Sequence, residues 1–257
     1  MQESFSVNSV ARAMHILEML DTSTRGMNIS EISRRLGIPK STTHLIVLTL
    51  EDLGYLTKSS RNLYQLSLKA YTLGRERMQG LSLPSIALPT MKSLAADTGL
   101  TVHLSVLEKY QAVIVQKVHG ASSRFDTFVG KRISLHCTAT GKVLLAHASA
   151  GTQKQVLSKT VFMRHTRHTL TSTAQLESAL EAVRQTGYAV DDEEEELAVR
   201  CVAVPVTAAA NDCIAALSVS GTVEEIPLDG CGRLVLALQQ AASAIVRVLM
   251  EEELAAS

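Results

Sequence analysis

No net charge, no Cys-x-x-Cys pair and no long apolar run mark this 257-residue chain: 25 Lys and Arg stand against 25 Asp and Glu, and the cysteines are Cys137, Cys201, Cys213 and Cys231. A balanced total gives no global electrostatic argument for or against a polyanionic partner. Thiols without disulfide or metal spacing read as reduced cysteines of a cytoplasmic protein. The start of the chain lacks a charged-then-apolar leader, and no uninterrupted apolar run approaches the ~18 residues of a membrane span, so no membrane partner is expected. Internal repeats and low-complexity segments are absent as well. What is present is a hydrophobic fraction of 46% against 19% charged, enough for a sizeable core in a chain long enough for two domains.

The zero is the sum of two unequal parts. Residues 1–77 carry ten Lys and Arg against seven Asp and Glu, a net of +3, and the remainder carries fifteen against eighteen. Within the basic part, Val10, Met14, Leu17 and Leu20 follow a helical period. "TSTRG" interrupts it. Asn28 with Glu31 then forms a capping-box start, Ile29, Ile32 and Leu36 make an apolar stripe, and Gly37 is a natural stop. Pro39 sits where a third helix begins, running to about Leu53. Its inward stripe is Thr43, Ile46, Val47, Leu50 and Leu53; Leu45 and Leu48 point outward. "YLTKSSRNLYQLS" alternates around a polar tip, as a β-hairpin does.

Helix, helix, tight turn, helix and hairpin is the winged helix-turn-helix plan, a reader of double-stranded DNA. A helix start offers unpaired N–H groups and partial positive charge to phosphate. Lys40, Ser41, Thr42, His44 and Leu45 stand at that end of the third helix, Arg34 and Arg35 on the helix before it, and Lys58 and Arg61 on the hairpin. The plain alternative is a helical hairpin buried in a core with its polar turn exposed.

From about Leu83 strands mix with helices, an α+β pattern. A helix ends at Gly99. "TVHLSVLEKYQAVIVQKV" reads as two strands about a turn, and "RFDTFVGKRISLHC" continues strand-like. "TATGKVLLAHAS" is a helix with Thr138 as cap, and "STAQLESALEAVRQTG" a second one, with Ser172 and Gln175 as capping box and Gly187 as stop. "CVAVPV" and "CIAALSVSG" are apolar strands, and a last helix runs from about Gly232 to Leu254. Catalytic patterns are thin. No Gly-x-Ser-x-Gly occurs, His165 and His168 lack further ligands at metal spacing, and His136 beside Cys137 would point to the opposite face of a strand. The run Asp191–Glu196 has the composition of a solvated face. No catalytic residue, metal or cofactor is therefore expected.

Five segments in this order, "SVARAMHILEML", "NISEISRRLGIPKSTTHLIVLTLEDLGYL", "HCTATGKVLLA", "GYAVDDEEEE" and "VRCVAVPV…CIAALSVSG", resemble the IclR family of bacterial transcription regulators over nearly the whole chain. The resemblance implies a winged helix-turn-helix domain over 1–67, a linker helix over 68–83 and a GAF-like effector-binding domain over 84–257. It implies a homodimer or tetramer on palindromic DNA operators, with operator affinity modulated by an effector and the 68–83 segment transmitting the change. It places the effector pocket at Phe125, Ile133, Ala139, Thr140, Asp191, Val199, Cys201, Ser218 and Ser220. Serine hydroxyls and free N–H groups at the helix start suit a carboxylate, so the expected effector is a small organic acid. The chain departs from the family twice: Leu45 stands where Arg is frequent, and Ala198 where Gly is frequent. The competing reading from another class is a small-molecule-binding enzyme with an accessory helical domain; a third is a winged helix that binds protein instead of DNA.

Overall fold

Three helices and a hairpin form from the N-terminal pattern: α1 (Asn8–Asp21), α2 (Ile29–Leu36), α3 (Lys40–Asp52), β1 (Leu56–Lys58) and β2 (Tyr64–Leu66). The computed structural model describes residues 7–70, 72, 82–121, 125–208 and 212–255. Contacts divide the chain into two units, residues 1–80 and 81–257. Most of the expected linker helix, residues 71 and 73–81, lies outside the described residues.

The start of α2 is reciprocal. Glu31 N–H donates to Asn28 Oδ1 and Asn28 N–H donates to Glu31 Oε2, both at 3.0 Å. Gly37 ends the helix at φ 63°, in the left-handed region. Ile16, Leu20, Met27, Ile32, Val47, Leu50, Leu56 and Tyr64 close one core, each large side chain contributing about 1.5–3 kcal/mol by leaving water. Met27 pairs with Tyr64 and so ties the α1–α2 connection to the hairpin. Thr43, Val47 and Leu50 face inward as their spacing predicts, with Ile46 packed against the same core. Leu53 does not: it is 51% exposed, because α3 ends at Asp52 and the chain turns before Leu53 can return to the inner face.

The second unit begins with α4 (Ser82–Thr98). β3 (Thr101–Glu108) and β4 (Gln111–Val118) pair antiparallel, followed by the short β5 (Arg132–Ile133). Then come α5 (Ala139–His147), α6 (Ala150–Lys159), α7 (Thr173–Thr186), β6 (Ala189–Asp192), β7 (Val199–Thr207), β8 (Cys213–Thr222) and α8 (Cys231–Ala255). The six strands make one antiparallel sheet in the order β5-β4-β3-β8-β7-β6. Both faces are covered. Cys201 and Ala203 of β7 join the cluster of α5 and α7, whereas Val202, Val204 and Val206 alternate to the other face, and α8 packs on β7. Double coverage is why β7 and β8 read as nearly continuous apolar runs.

α8 is long and apolar enough, by length and composition, to cross a membrane. Val235, Leu238, Ala242, Ile245 and Leu249 of that helix are buried in the domain core.

The strand-like reading of 125–137 holds only at Arg132 and Ile133. Around them, turns replace the ladder. Gly130 takes φ 98° and donates to the Ile114 carbonyl at 2.7 Å, and Lys131 N–H closes a turn on Phe128 at 3.1 Å. At α7, Ser172 accepts from Gln175 N–H at 3.3 Å as expected, but Gln175 Oε1 accepts from Thr171 N–H and the Ser172 hydroxyl, one residue off the standard box.

Candidate functional site

Two sites emerge, one in each unit. In the first, α3 has no side-chain cap at its N-terminus, so its first N–H groups face outward unpaired by protein. Lys40, Ser41, His44 and Leu45 are exposed there, and Thr42 is half-buried. Arg34 and Arg35 are exposed on α2, and Lys58 and Arg61 on the hairpin. Among the described residues none of these cations forms an ion pair with an acid. A cleft of about 450 Å³ runs between the starts of α2 and α3 and the hairpin, lined by Asn28, Ser30, Lys40, His44, Leu48, Lys58 and Asn62. The hairpin tip is held by Asn62 at φ 58° and by its N–H on the Ser59 carbonyl at 3.0 Å, which presents Arg61 at the turn. Unpaired cations, hydroxyls and an open helix start on one surface suit a phosphate backbone. Leu45 is 67% exposed at the same end, an apolar group with no core to join.

The second site is a cavity between the sheet and the start of α5, with about 50 Å³ of free space. Seven of the nine residues expected there line it: Ile133, Ala139, Thr140, Asp191, Cys201, Ser218 and Ser220. Register brings them together. Cys201 of β7 pairs with Ser220 of β8 and with Asp191 of β6, and Ser218 lies two residues along the same face. Thr138 caps α5 by accepting from Gly141 N–H at 2.9 Å. Helix geometry leaves the N–H groups of Ala139 and Thr140 free. The close approach depends on Gly141, where a Cβ would fall 2.4 Å from the Ser134 carbonyl oxygen and 2.6 Å from Leu135 Cα. Thr140 donates to Ser218 Oγ at 3.0 Å, and the Cys201 thiol to Ser220 Oγ at 3.1 Å.

Phe125 and Val199 are not among the lining residues. Phe125 instead uses its carbonyl, which accepts from Lys117 Nζ at 3.2 Å; the same ammonium donates to the Thr127 carbonyl at 2.7 Å. Val199, half-buried, pairs with Thr222 at the far end of β7, beyond Cys201. His103, Ile114, Thr127, Thr138 and Glu195 also line the cavity and were not singled out from sequence. Alternation along β3 was the available signal, since His103 pairs with Ser218 across the ladder.

Electrostatics distinguish the buried carboxylates. Two of the six carboxylates in the acidic run are not on a solvated face: Asp191 is 2% and Glu194 7% exposed. Glu194 pairs with Lys142, which also donates to the Val190 carbonyl at 2.6 Å. Asp191 has no such partner. Burial raises its pKa to about 7, with the Glu194 N–H, at 2.8 Å, working against that rise. At neutral pH it is therefore poised between acceptor and donor. Burial, then nearby Lys117, lowers His103 to about 3, so it is a neutral ring, 2.8 Å from Thr127 Oγ1. The cavity thus offers hydroxyls, two helix N–H groups, a neutral imidazole and two carboxyls, Asp191 and Glu195, both raised by burial.

His136 and Cys137 are not strand neighbours on opposite faces, because 135–138 is a series of bends and not a strand. His165 joins them, while His168 turns away to accept from Arg167 Nε at 2.9 Å. Burial, then Glu195, raises the Cys137 thiol to about 12, which leaves it a protonated, poor nucleophile.

Comparison with known proteins gives matching models for both units. Residues 9–60 match the IclR helix-turn-helix domain, and residues 75–247 the C-terminal domain of bacterial transcriptional regulator IclR. The HTH-type transcriptional regulator XynR of Escherichia coli (strain K12) is 34% identical over 245 residues, 95% of this chain and 97% of that protein. The HTH-type transcriptional regulator KdgR of Dickeya chrysanthemi is 38% identical over 217 residues, 84% of this chain and 71% of that one. Among solved structures, an IclR homolog from Microbacterium hydrocarbonoxydans complexed with 4-hydroxybenzoate superposes with a TM-score of 0.81 at 25% identity, covering 95% of this chain and 99% of that one.

Proposed function

The chain belongs to the IclR family of bacterial transcription regulators, with a helix-turn-helix DNA-binding domain and a C-terminal effector-binding domain, and from that premise we propose how its own residues carry the two tasks. Lys40, Arg34, Arg35, Lys58 and Arg61 seat operator phosphates, and Ser41, Thr42, His44 and Leu45 face base edges in the major groove. The effector is a small organic acid held at Thr140, Ser218, Ser220 and the α5 start, with the protonated Asp191 carboxyl donating its O–H to the ligand's carboxylate. One observation carries this reading: hydroxyl and N–H donors converge on a small cavity lined, among the described residues, by no lysine or arginine, and the nearby Lys142 is already paired with Glu194.

About 50 Å³ has room for a few waters, not for a benzoate-sized ring. Entry of a larger acid requires displacement of the Phe125–Thr127 segment, which Lys117 now holds through two carbonyls. That displacement supplies the two states a ligand needs in order to shift an equilibrium. The 68–83 segment would carry the change between the domains 1–67 and 84–257. Leu236, Met250 and Leu254 of α8 are exposed, an apolar surface that supports a homodimer or tetramer. We assign the protein no catalytic step and place it in the cytoplasm, where its operator is.

The test is a thermal-shift screen of small organic acids on the full chain, repeated with Ser218→Ala. The reading requires an acid that raises the melting temperature of wild type and does so less in the variant, with DNA binding in the absence of acid unchanged. An equal rise in both places the ligand elsewhere.

A further inference from the structure

Beside the cavity, three side chains from two separate loops converge without a role in effector binding. His136 and Cys137, both buried, precede α5, and His165, exposed, comes from the loop after α6. One ligand atom from each lies within 4.8 Å of the other two. We propose that His136, Cys137 and His165 bind a zinc-type dication.

The donor set is that of a borderline-soft metal: one thiolate and two imidazoles. Tetrahedral bonds of about 2.0–2.3 Å place such atoms roughly 3.5 Å apart, so a modest contraction of the loops completes the site. His136 has one ring nitrogen occupied outside the cluster. Its Nε2 lies 3.2 Å from the Met163 carbonyl oxygen, and a proton given there leaves Nδ1 unprotonated for metal. An outer hydrogen bond to a backbone carbonyl is what fixes the tautomer of imidazole ligands in metal sites. The Phe162 ring meets His136 edge-on at 5.5 Å and holds the plane.

The local charge points the same way. Asp191, Glu194 and Glu195 all act on Cys137, and the buried Lys142 is committed to Glu194. An excess of carboxylate around a thiol disfavours a lone thiolate and favours a dication beside it. On binding, the Cys137 S–H proton leaves to solvent as the metal–sulfur bond forms, so affinity rises with pH. Three protein ligands leave a fourth position for water. The metal would clamp the 161–171 loop to the start of α5, next to the effector cavity.

The experiment uses the full chain, stripped with chelator and titrated with zinc chloride and with cobalt(II) chloride alone. One metal per chain is expected, with tetrahedral cobalt bands and a thiolate-to-cobalt charge-transfer band. Cys137→Ser should remove the charge-transfer band. Because Cys137 is fully buried and its variant is open to misfolding, His165→Asn on the exposed loop is the second arm; it should weaken binding more than about tenfold while the circular dichroism of the metal-free protein is unchanged. Binding without a thiolate band, or equal affinity in wild type and His165→Asn, overturns the site. Neither arm depends on DNA or effector.

Discussion

Helices α3 and α5 both begin with a short polar run bearing threonine and lysine, Lys40-Ser-Thr-Thr in one and Thr138-Ala-Thr-Gly-Lys142 in the other, yet their surroundings give them opposite tasks. The start of α3 has no cap and lies on the surface, and Lys40 has no acid within ion-pair distance among the described residues. The start of α5 is capped by Thr138 and fully buried, and its lysine is neutralised by Glu194. An unpaired surface cation serves a long polyanion whose binding energy comes from counterion release. Inside a cavity an unpaired cation would be too costly, so selectivity passes to hydroxyls, N–H groups and a titrating carboxyl.

The largest expected effect separates the two lysines. Lys142→Met leaves Glu194 buried without a partner and should cost about 3–5 kcal/mol in chemical denaturation. Lys40→Ala should leave stability within about 0.5 kcal/mol while lowering the salt slope of DNA binding by about 1. Similar stability losses in both would erase the distinction. Next is Asp191. Its pKa is raised from 3.8 to about 7 on folding, so the folded state binds more protons between those values, and stability falls as pH rises through that window. Between wild type and Asp191→Asn the slope should differ by up to about 1.4 kcal/mol per pH unit, while His103, lowered on folding from 6.5 to about 3, adds the same opposite slope to both proteins. An unchanged slope in the variant would mean that Asp191 is not the buried titrating group.

On the surface site, Leu45 is expected to meet a thymine methyl, the one apolar group on the major-groove edge. Replacing the contacted thymine by deoxyuridine should cost about 0.8 kcal/mol, roughly fourfold in affinity, for wild type and nothing for Leu45→Ala. A backbone effect of similar size belongs to Ala198, which holds φ 61° in the turn before β7. Ala198→Gly should stabilise by about 1 kcal/mol, read as a rise in melting temperature.

Much of both sites was legible in the sequence because the signals were local. The α2 capping box, the Gly37 stop and the Thr138 cap need only neighbours within a few residues, and Ser218 and Ser220 share a face by strand alternation. What escaped depends on distant partners. Within a six-carboxylate run, burial of Glu194 depends on Lys142, about fifty residues earlier, and burial of Asp191 on the pairing of β6 with β7. His165 meets His136 only through the loop after α6. The 125–137 segment alternates like a strand, but Gly130 and the turn at Phe128–Lys131 confine pairing to Ala112 with Ile133 and Val113 with Arg132. The family's frequent glycine at Ala198 has a backbone reason, a positive φ, that pattern alone does not display.

The central claim is that an exposed, cationic α3 reads an operator while a small cavity at α5 controls it. Quantitative gel shifts on the gene's own upstream region, at several salt concentrations, with and without an acid that raises the melting temperature, test it most directly. The account predicts a fragment bound more tightly than random DNA, an affinity that falls linearly with log salt, and a change on adding the acid that is lost in Ser218→Ala. No fragment bound above random DNA, or an acid effect that survives in Ser218→Ala, would contradict it.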